Sequence, residues 1–134
     1  IKEFISETNK NQMISTLLKH YKVGNVKLQY KSMKDYAHFD VDRGTLQLST
    51  KYKTIKSSQV KDFLITILHE IDHAIDSKKK GWKSFKADYE WEMNYQISQN
   101  KDEYKDNKYE IKAEKFGQEN WKKWFNRFKK EGLI

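Results

Sequence analysis

The stretch that decides the fold is VKDFLITILHEIDHAID, residues 60–76. Its apolar residues recur at about 100° per residue, which predicts one amphipathic helix. His69 and His73 lie four residues apart, roughly opposite the centre of the apolar arc, so both imidazoles point to the same side. In this HExxH pattern the two histidines can ligate one metal ion, and Glu70 is turned aside to handle the protons of a metal-bound water.

A second interpretation of the same helix leaves both histidines in solvent. Asp62, Thr66 and Asp76 are polar residues on the side that carries His69 and His73. In that case the two imidazoles would be ordinary surface side chains, because short patterns also arise by chance. The two interpretations differ in whether the histidines are buried beside a cleft.

A third protein ligand has to come from elsewhere in the chain. There is no cysteine, and the two remaining histidines, His20 and His38, both precede the motif. A downstream Glu or Asp must therefore complete a three-ligand site. The best candidate region is EIKAEKFG, residues 110–117, which opens a C-terminal amphipathic helix.

Two glutamates of this region fall on the apolar face of the C-terminal helix. Glu110 and Glu114 share that face with four aromatic residues: Trp121, Trp124, Phe125 and Phe128. Carboxylates in an apolar stripe are costly unless they are paired with cations. A zinc ion for one carboxylate and the N–H of a ligand histidine for the other would offset that cost. Lysine, which is abundant here, is the alternative partner.

Glu90 and Glu92 are less favourable third ligands. They lie on a helix predicted over residues 82–99, where Glu92 reaches only the margin of the inward stripe. We expect that stripe to be core rather than a binding surface, and it consists of Trp82, Phe85, Tyr89, Met93 and Ile97.

The combination of HExxH with a downstream E-x-x-A-[D/E]-x-F-[A/G] resembles the small gluzincins. These include the minigluzincins, the membrane-associated CAAX-type peptidases and the cytoplasmic metallopeptidases that cleave repressors. The specific match covers two short stretches, with the residues His69, Glu70, His73, Glu110, Ala113, Glu114 and Phe116. SprT-like domains are similar in size and basicity, but they normally use a third histidine that is absent downstream here.

The resemblance implies a role for each matching polar residue. His69, His73 and Glu110 would be the zinc ligands, and Glu70 would be the general base. Glu114 would replace the acid, usually Asp, that orients a ligand histidine. One position departs from the pattern, because zinc-peptidase helices usually carry an uncharged residue where this chain has Asp72.

The order of predicted elements indicates an α+β, zincin-like fold in one domain over residues 1–134. A helix over 8–21 is followed by a strand over 25–30 and by a hairpin whose strands, 36–41 and 45–49, flank Asp42-Arg43-Gly44. The motif helix and two further helices come next, so a small antiparallel sheet precedes the helices. We expect the last strand to be a sheet edge that pairs with an extended peptide substrate, through Thr45, Leu46, Gln47, Leu48 and Ser49.

The net charge of +8 favours a second class of function. Such charge can attract nucleic acid, acidic proteins or anionic membrane surfaces. We expect a solvated lysine-rich surface with weak, non-specific nucleic-acid binding at most, because no nucleic-acid fold signature accompanies the charge. No apolar run is long enough to span a membrane, and the lack of cysteine fits the cytoplasm. The lack of proline and the abundance of Lys and Asn indicate an AT-rich genome, as in a phage or a low-GC bacterium, and a phage protein would lie in the virion or the host cytoplasm.

These features predict a zinc metallopeptidase in which Glu70 takes a proton from a zinc-activated water and passes it to the leaving amine. A Tyr or His would help to stabilise the oxyanion, and the candidates are Tyr89, Tyr95, Tyr104, Tyr109 and His38. The alternative is a non-catalytic basic zinc module that docks nucleic acid or a partner protein. Glu70 argues against that alternative, since a structural zinc site has no use for a base.

Overall fold

The computed structural model describes residues 3–134, which form an α+β fold. The strands are β1 (Phe4–Ile5), β2 (Lys27–Lys31), β3 (Ala37–Asp40), β4 (Thr45–Ser49) and β5 (Ile55–Lys56). The helices are α1 (Glu7–His20), α2 (Val60–Lys80), α3 (Trp82–Ser98) and α4 (Lys108–Lys130), and two short 3-10 turns lie at Thr50–Tyr52 and Ser57–Gln59. No helix within residues 3–134 is both long and apolar enough to cross a membrane.

The main sheet has three strands in the order β2-β4-β3. β3 and β4 form the predicted antiparallel hairpin, and Gly44 in its turn adopts a φ of 60°, which glycine tolerates without strain. β2 lies parallel to β4, an arrangement that the strand pattern did not predict. β1 and β5 form a separate two-stranded antiparallel ribbon.

The prediction that Thr45–Ser49 is a sheet edge is wrong. This strand, β4, lies between β2 and β3, and all five of its residues are buried. Its main-chain groups are already used on both sides by neighbouring strands, so Thr45, Leu46, Gln47, Leu48 and Ser49 cannot pair with a peptide. The open edge on this side of the sheet belongs to β3.

The core forms where α2 meets the sheet, α1 and α4. The apolar face of α2 buries Phe63, Leu64, Ile67 and Leu68, each fully removed from solvent. They pack in one cluster with side chains from α1, the sheet and α4 that include Met13, Leu17, Phe39, Leu48, Trp124 and Phe128. This burial fixes the rotation of α2 and so turns the histidine side of the helix away from the core.

α3 is rotated relative to its prediction. Trp82 and Ile97 were expected in the inward stripe, but they are 43% and 49% exposed. Phe85 is buried as predicted, and the inward face also includes the buried polar residues Glu92 and Gln96. Glu92 accepts hydrogen bonds from Gln96 Nε2 and from the backbone N–H of Lys108, both at 2.9 Å, so α3 is anchored by capping the start of α4.

Candidate metal centre

Two histidines of α2 share one buried side of the helix. His69 and His73 are each 7% exposed, and their ring centroids lie 5.0 Å apart. The four-residue spacing on a continuous helix produces this proximity. The interpretation of a solvent-facing pair is therefore excluded.

Glu110 approaches both imidazoles from the first turn of α4. Its Oε1 atom lies 2.8 Å from His69 Nε2 and 2.7 Å from His73 Nε2. Asn107 begins this helix by accepting a hydrogen bond from the N–H of Tyr109, and it thereby fixes the turn that carries Glu110. The three side chains offer ligand atoms that all lie within 4.8 Å of one another.

Glu114, one helical turn beyond Glu110, contacts the outer nitrogen of one histidine. Its Oε2 atom lies 3.1 Å from His69 Nδ1. An Nδ1–H bound to a carboxylate leaves Nε2 unprotonated and free to ligate a metal ion. His73 differs, because its buried Nδ1 has no hydrogen-bond partner among the described residues.

The charges in this cluster shift the pKa values of its members. Burial lowers the pKa of His69, but the hydrogen bond to Glu110 and the surrounding carboxylates outweigh burial and raise that pKa to about 9. Burial raises the pKa of Glu110, but its contacts with His69 and His73 hold it well below the ordinary range. The carboxylate is therefore ionised, as a metal ligand must be.

Glu70 lies next to this cluster and is held by the sheet. It is 8% exposed, and its Oε2 atom accepts a hydrogen bond of 2.9 Å from the backbone N–H of Phe39 in β3. That N–H points outward from the sheet edge, so it is not used by β4. Burial raises the pKa of Glu70, although His73 and His69 partly oppose the shift. No sequence pattern predicts this contact, because it joins residues 31 positions apart.

The cluster opens into a cleft of about 1040 Å³ between β3, α2 and α3. Of the proposed oxyanion donors, Tyr89, Tyr104 and His38 line this cleft. Tyr89 donates a hydrogen bond from its hydroxyl to Glu110 Oε2. Tyr95 stacks instead on Trp91 at a surface position.

The fifth donor candidate and the two less favourable ligands lie outside the cluster. The Tyr109 hydroxyl accepts a hydrogen bond from Lys80 and does not line the cleft. The Glu92 carboxylate already accepts a hydrogen bond from the Lys108 N–H at the start of α4. Glu90 lines the cleft but does not join the histidines and Glu110 in the group of potential ligands.

Small residues of α4 let it approach α2 closely enough for Glu110 to reach the histidines. Ala113 is fully buried, and a Cβ added to Gly117 would lie 2.8 Å from the backbone oxygen of Ile65. Side chains at both positions must be small for the helices to meet at this distance. The sequence shows Gly117, but the reason for it emerges only from the packing.

Asp72, the charged residue that departs from the zinc-peptidase pattern, is buried. It is 4% exposed, and Lys112 of α4 contacts both of its carboxylate oxygens, at 2.9 and 3.0 Å. The same ammonium group lies 3.0 Å from Asp76. The charge that departs from the gluzincin pattern is therefore neutralised by an ion pair between the helices.

No family model, curated protein or solved structure matches this chain.

Proposed function

We propose that this protein is a zinc-dependent metallopeptidase of the small gluzincin type, with a zincin-like fold. The observation that carries the proposal is the convergence of His69 Nε2 and His73 Nε2 on the same oxygen of Glu110. Two imidazoles and one carboxylate form a donor set suited to catalytic zinc, which takes three protein ligands and keeps a fourth position open.

The surroundings of the three ligands fit a zinc ion. Glu114 supports His69 as a neutral ligand through Nδ1, and Tyr89 bonds to the second oxygen of Glu110. Such outer contacts hold ligand side chains in position. When bound, zinc supplies a Lewis acid that activates a water molecule near neutral pH.

Glu70 is the proposed general base. It is buried beside both histidines, and its raised pKa brings proton uptake closer to neutral pH. The carboxylate accepts the proton of the attacking water and donates it to the leaving amine. The Phe39 N–H holds the carboxylate in place until substrate enters.

The open edge of β3 replaces β4 as the proposed binding strand for an extended peptide. Its residues Ala37, His38 and Phe39 line the cleft, and the Phe39 N–H points towards Glu70. A peptide that adds a strand here would place its backbone beside the general base. Tyr89, Tyr104 and His38 are the side chains available to donate a hydrogen bond to the oxyanion.

A peptide-library cleavage assay on zinc-loaded protein tests this function. We expect the wild type to cleave peptides, and Glu70→Gln to retain zinc while its turnover falls by roughly 10²–10⁴-fold. The control is Glu119→Gln, which makes the same chemical change at an exposed side chain paired with Lys115. Cleavage that persists in Glu70→Gln would contradict the assigned role of Glu70.

The net charge of +8 supports a second candidate, a non-catalytic zinc module that docks nucleic acid or a partner protein. In that case the wild type would bind zinc and cleave no peptide. Tight, sequence-selective nucleic-acid binding at physiological salt would favour this candidate. We expect only weak binding that falls steeply as salt rises.

A further inference from the structure

The charge of the cleft is opposite to that of the whole protein. Eight of the 19 Asp and Glu side chains line the cleft, whereas Lys86 is the only lining residue among the 27 Lys and Arg, counting lining residues within the described part of the chain. Three of these carboxylates, Glu70, Glu110 and Glu114, belong to the metal centre. The other five are Asp35, Asp40, Asp42, Asp62 and Glu90.

The five remaining carboxylates lie along the path proposed for the peptide. Asp35 precedes β3, and Asp40 and Asp42 lie at its other end, so the open strand has acidic groups at both ends. Asp62 lies seven residues before His69 on α2, which corresponds to about 10 Å along the helix axis. An extended peptide covers that distance in about three residues. Acidic groups therefore lie several peptide residues away from the metal centre as well as next to it.

Three of these carboxylates have no salt bridge in the described part of the chain, although the Lys86 ammonium also interacts electrostatically with Glu90. Asp35, Asp62 and Glu90 form no ion pair with any residue in the range 3–134. Asp42 shows what such a group binds, since the Lys86 ammonium lies 3.1 and 3.3 Å from its two oxygens. The Lys86 side chain crosses from α3 to the turn after β3, so a lysine ammonium already occupies one acidic position of the cleft.

We propose that the cleft selects peptides with lysine or arginine on both sides of the bond to be cleaved. This inference rests on the proposed peptidase function and names its substrate class. Like charges in a concave site with low-dielectric walls reinforce one another and concentrate cations. The same field repels acidic peptides and the phosphates of nucleic acid, although the outer surface of the protein would attract both.

A binding experiment that does not require hydrolysis tests this inference. Three fluorescent ten-residue peptides would differ only in carrying lysine, glutamine or glutamate at four positions flanking a central apolar pair. Binding to zinc-loaded Glu70→Gln protein, which leaves the peptide intact, is followed by fluorescence anisotropy at low and at physiological salt. We expect the lysine peptide to bind about tenfold more tightly than the glutamine peptide at low salt, and the glutamate peptide to bind most weakly.

Two matched sets of substitutions separate the cleft from overall charge. Asp35→Asn, Asp62→Asn and Glu90→Gln, combined in the Glu70→Gln protein, should reduce the preference for lysine over glutamine to threefold or less. The control combines three exposed carboxylates outside the cleft, Asp88→Asn, Glu119→Gln and Glu131→Gln, in the same protein. It changes the net charge by the same amount and should keep the tenfold preference.

The outcomes distinguish this inference from the proposed function. The inference is overturned if the glutamate peptide binds as tightly as the lysine peptide or more tightly, as the net charge alone would produce. It is also overturned if the preference for lysine over glutamine survives in the cleft variant. If the wild type cleaves all three peptides with equal kcat/KM, the peptidase function stands and the charge selection fails. If the wild type cleaves none of the peptides but binds the lysine peptide selectively, the peptidase function fails and the acidic cleft stands as a binding site for cationic peptides.

Discussion

Two groups of carboxylates join α2 to α4, and they are neutralised in different ways. In the ion-pair cluster, Asp72 and Asp76 share the ammonium group of Lys112. In the histidine cluster, Glu110 lies between His69 and His73, and no Lys or Arg of residues 3–134 is paired with it. The same two helices thus carry an ordinary ion pair and, at neighbouring positions, an arrangement that charge neutralisation alone does not require.

The difference indicates what the histidine cluster is for. Lysine was the alternative partner for inward glutamates, and α4 does supply one, but it goes to the aspartates. Burying two imidazoles around one carboxylate costs desolvation that a lysine on the exposed rim avoids. A metal ion that binds all three groups would offset that cost, which supports the proposed metal site at the histidine cluster.

The largest expected effect is on metal content, which should depend on the histidine cluster and not on the ion-pair cluster. Glu110→Gln should lower zinc affinity by more than about 100-fold, because it removes a ligand oxygen and its charge. Lys112→Met should leave zinc content unchanged and lower the free energy of unfolding by roughly 3 kcal/mol, because it leaves the buried carboxylates of Asp72 and Asp76 without their cation. Zinc analysis after dialysis against a metal buffer measures the first effect, and urea unfolding measures the second.

Glu92→Gln is the matched control for that comparison. It removes the negative charge of the side chain that caps the Lys108 N–H but no proposed ligand, so most of the zinc should remain bound. Zinc lost from Glu92→Gln and kept by Glu110→Gln would show that the third ligand is wrongly assigned.

Glu114→Ala tests whether the outer edge of the histidine cluster supports the metal. Without the contact to Nδ1, His69 loses the partner that fixes its tautomer and ring orientation. We expect zinc affinity or peptidase activity to fall by about 10–100-fold. A competitive chelator titration measures the affinity. Unchanged zinc affinity and activity would show that Glu114 does not orient His69 for metal binding.

Gly117→Ala tests whether the distance between the helices matters to both clusters. Its Cβ would meet the backbone of Ile65, so α4 must move away from α2. Overpacking of this kind costs roughly 1–3 kcal/mol of stability. We expect zinc affinity to fall by about tenfold, with Lys115→Ala as a control on the exposed side of α4. A Gly117→Ala protein with unchanged stability and affinity would show that the close approach is not needed.

The smallest effect is a pH dependence that belongs to the histidine cluster of the metal-free protein. The pKa of His69 is raised from 6.5 to about 9, so its contact with Glu110 stabilises the fold below pH 6.5 and the stabilisation is lost as pH rises through 9. Burial lowers the pKa of Lys112, but Asp72 and Asp76 raise it above its ordinary value, so the Lys112 ammonium does not titrate in that window.

Urea unfolding of chelator-treated protein between pH 6.5 and 9 measures this effect. The free energy of unfolding should fall across the window in the wild type and in Lys112→Met, and the fall should be absent from Glu110→Gln. Zinc reverses the trend, because protons compete with the metal for the histidines and added zinc stabilises more as pH rises. Burial lowers the pKa of Lys10 to about 8, so Lys10 also titrates in this window, and the test is the difference between wild type and Glu110→Gln. Identical profiles for these two proteins would contradict the shifted pKa of His69.

The sequence predicted best what depends on local periodicity. The helix of residues 60–76 was found because its apolar residues repeat along one face, and α2 only extends that helix to Lys80. Gly81, with a φ of 83°, ends it, while the three lysines before it complete the last turn, where the helix dipole favours them. The hairpin around Gly44 was found for the same local reason.

The parts that were not predicted depend on contacts between distant residues. Alternation marks the strand Thr45–Ser49, but it does not show that β2 would cover its second edge. The inward face of α3 is set by Glu92, which caps the next helix, and a hydrophobic pattern gives no sign of that bond. Likewise, the contact between Phe39 and Glu70 depends on where the sheet edge meets α2.

The most direct test of a zinc centre at the histidine cluster is anomalous diffraction at the zinc edge from crystals grown with one equivalent of zinc. We predict a single strong peak about 2.0–2.2 Å from His69 Nε2, His73 Nε2 and a carboxylate oxygen of Glu110. The peak should be absent from crystals of Glu110→Gln grown in the same way and present in those of Lys112→Met. A wild-type crystal with no peak at these three atoms, or with zinc held elsewhere, would contradict the account.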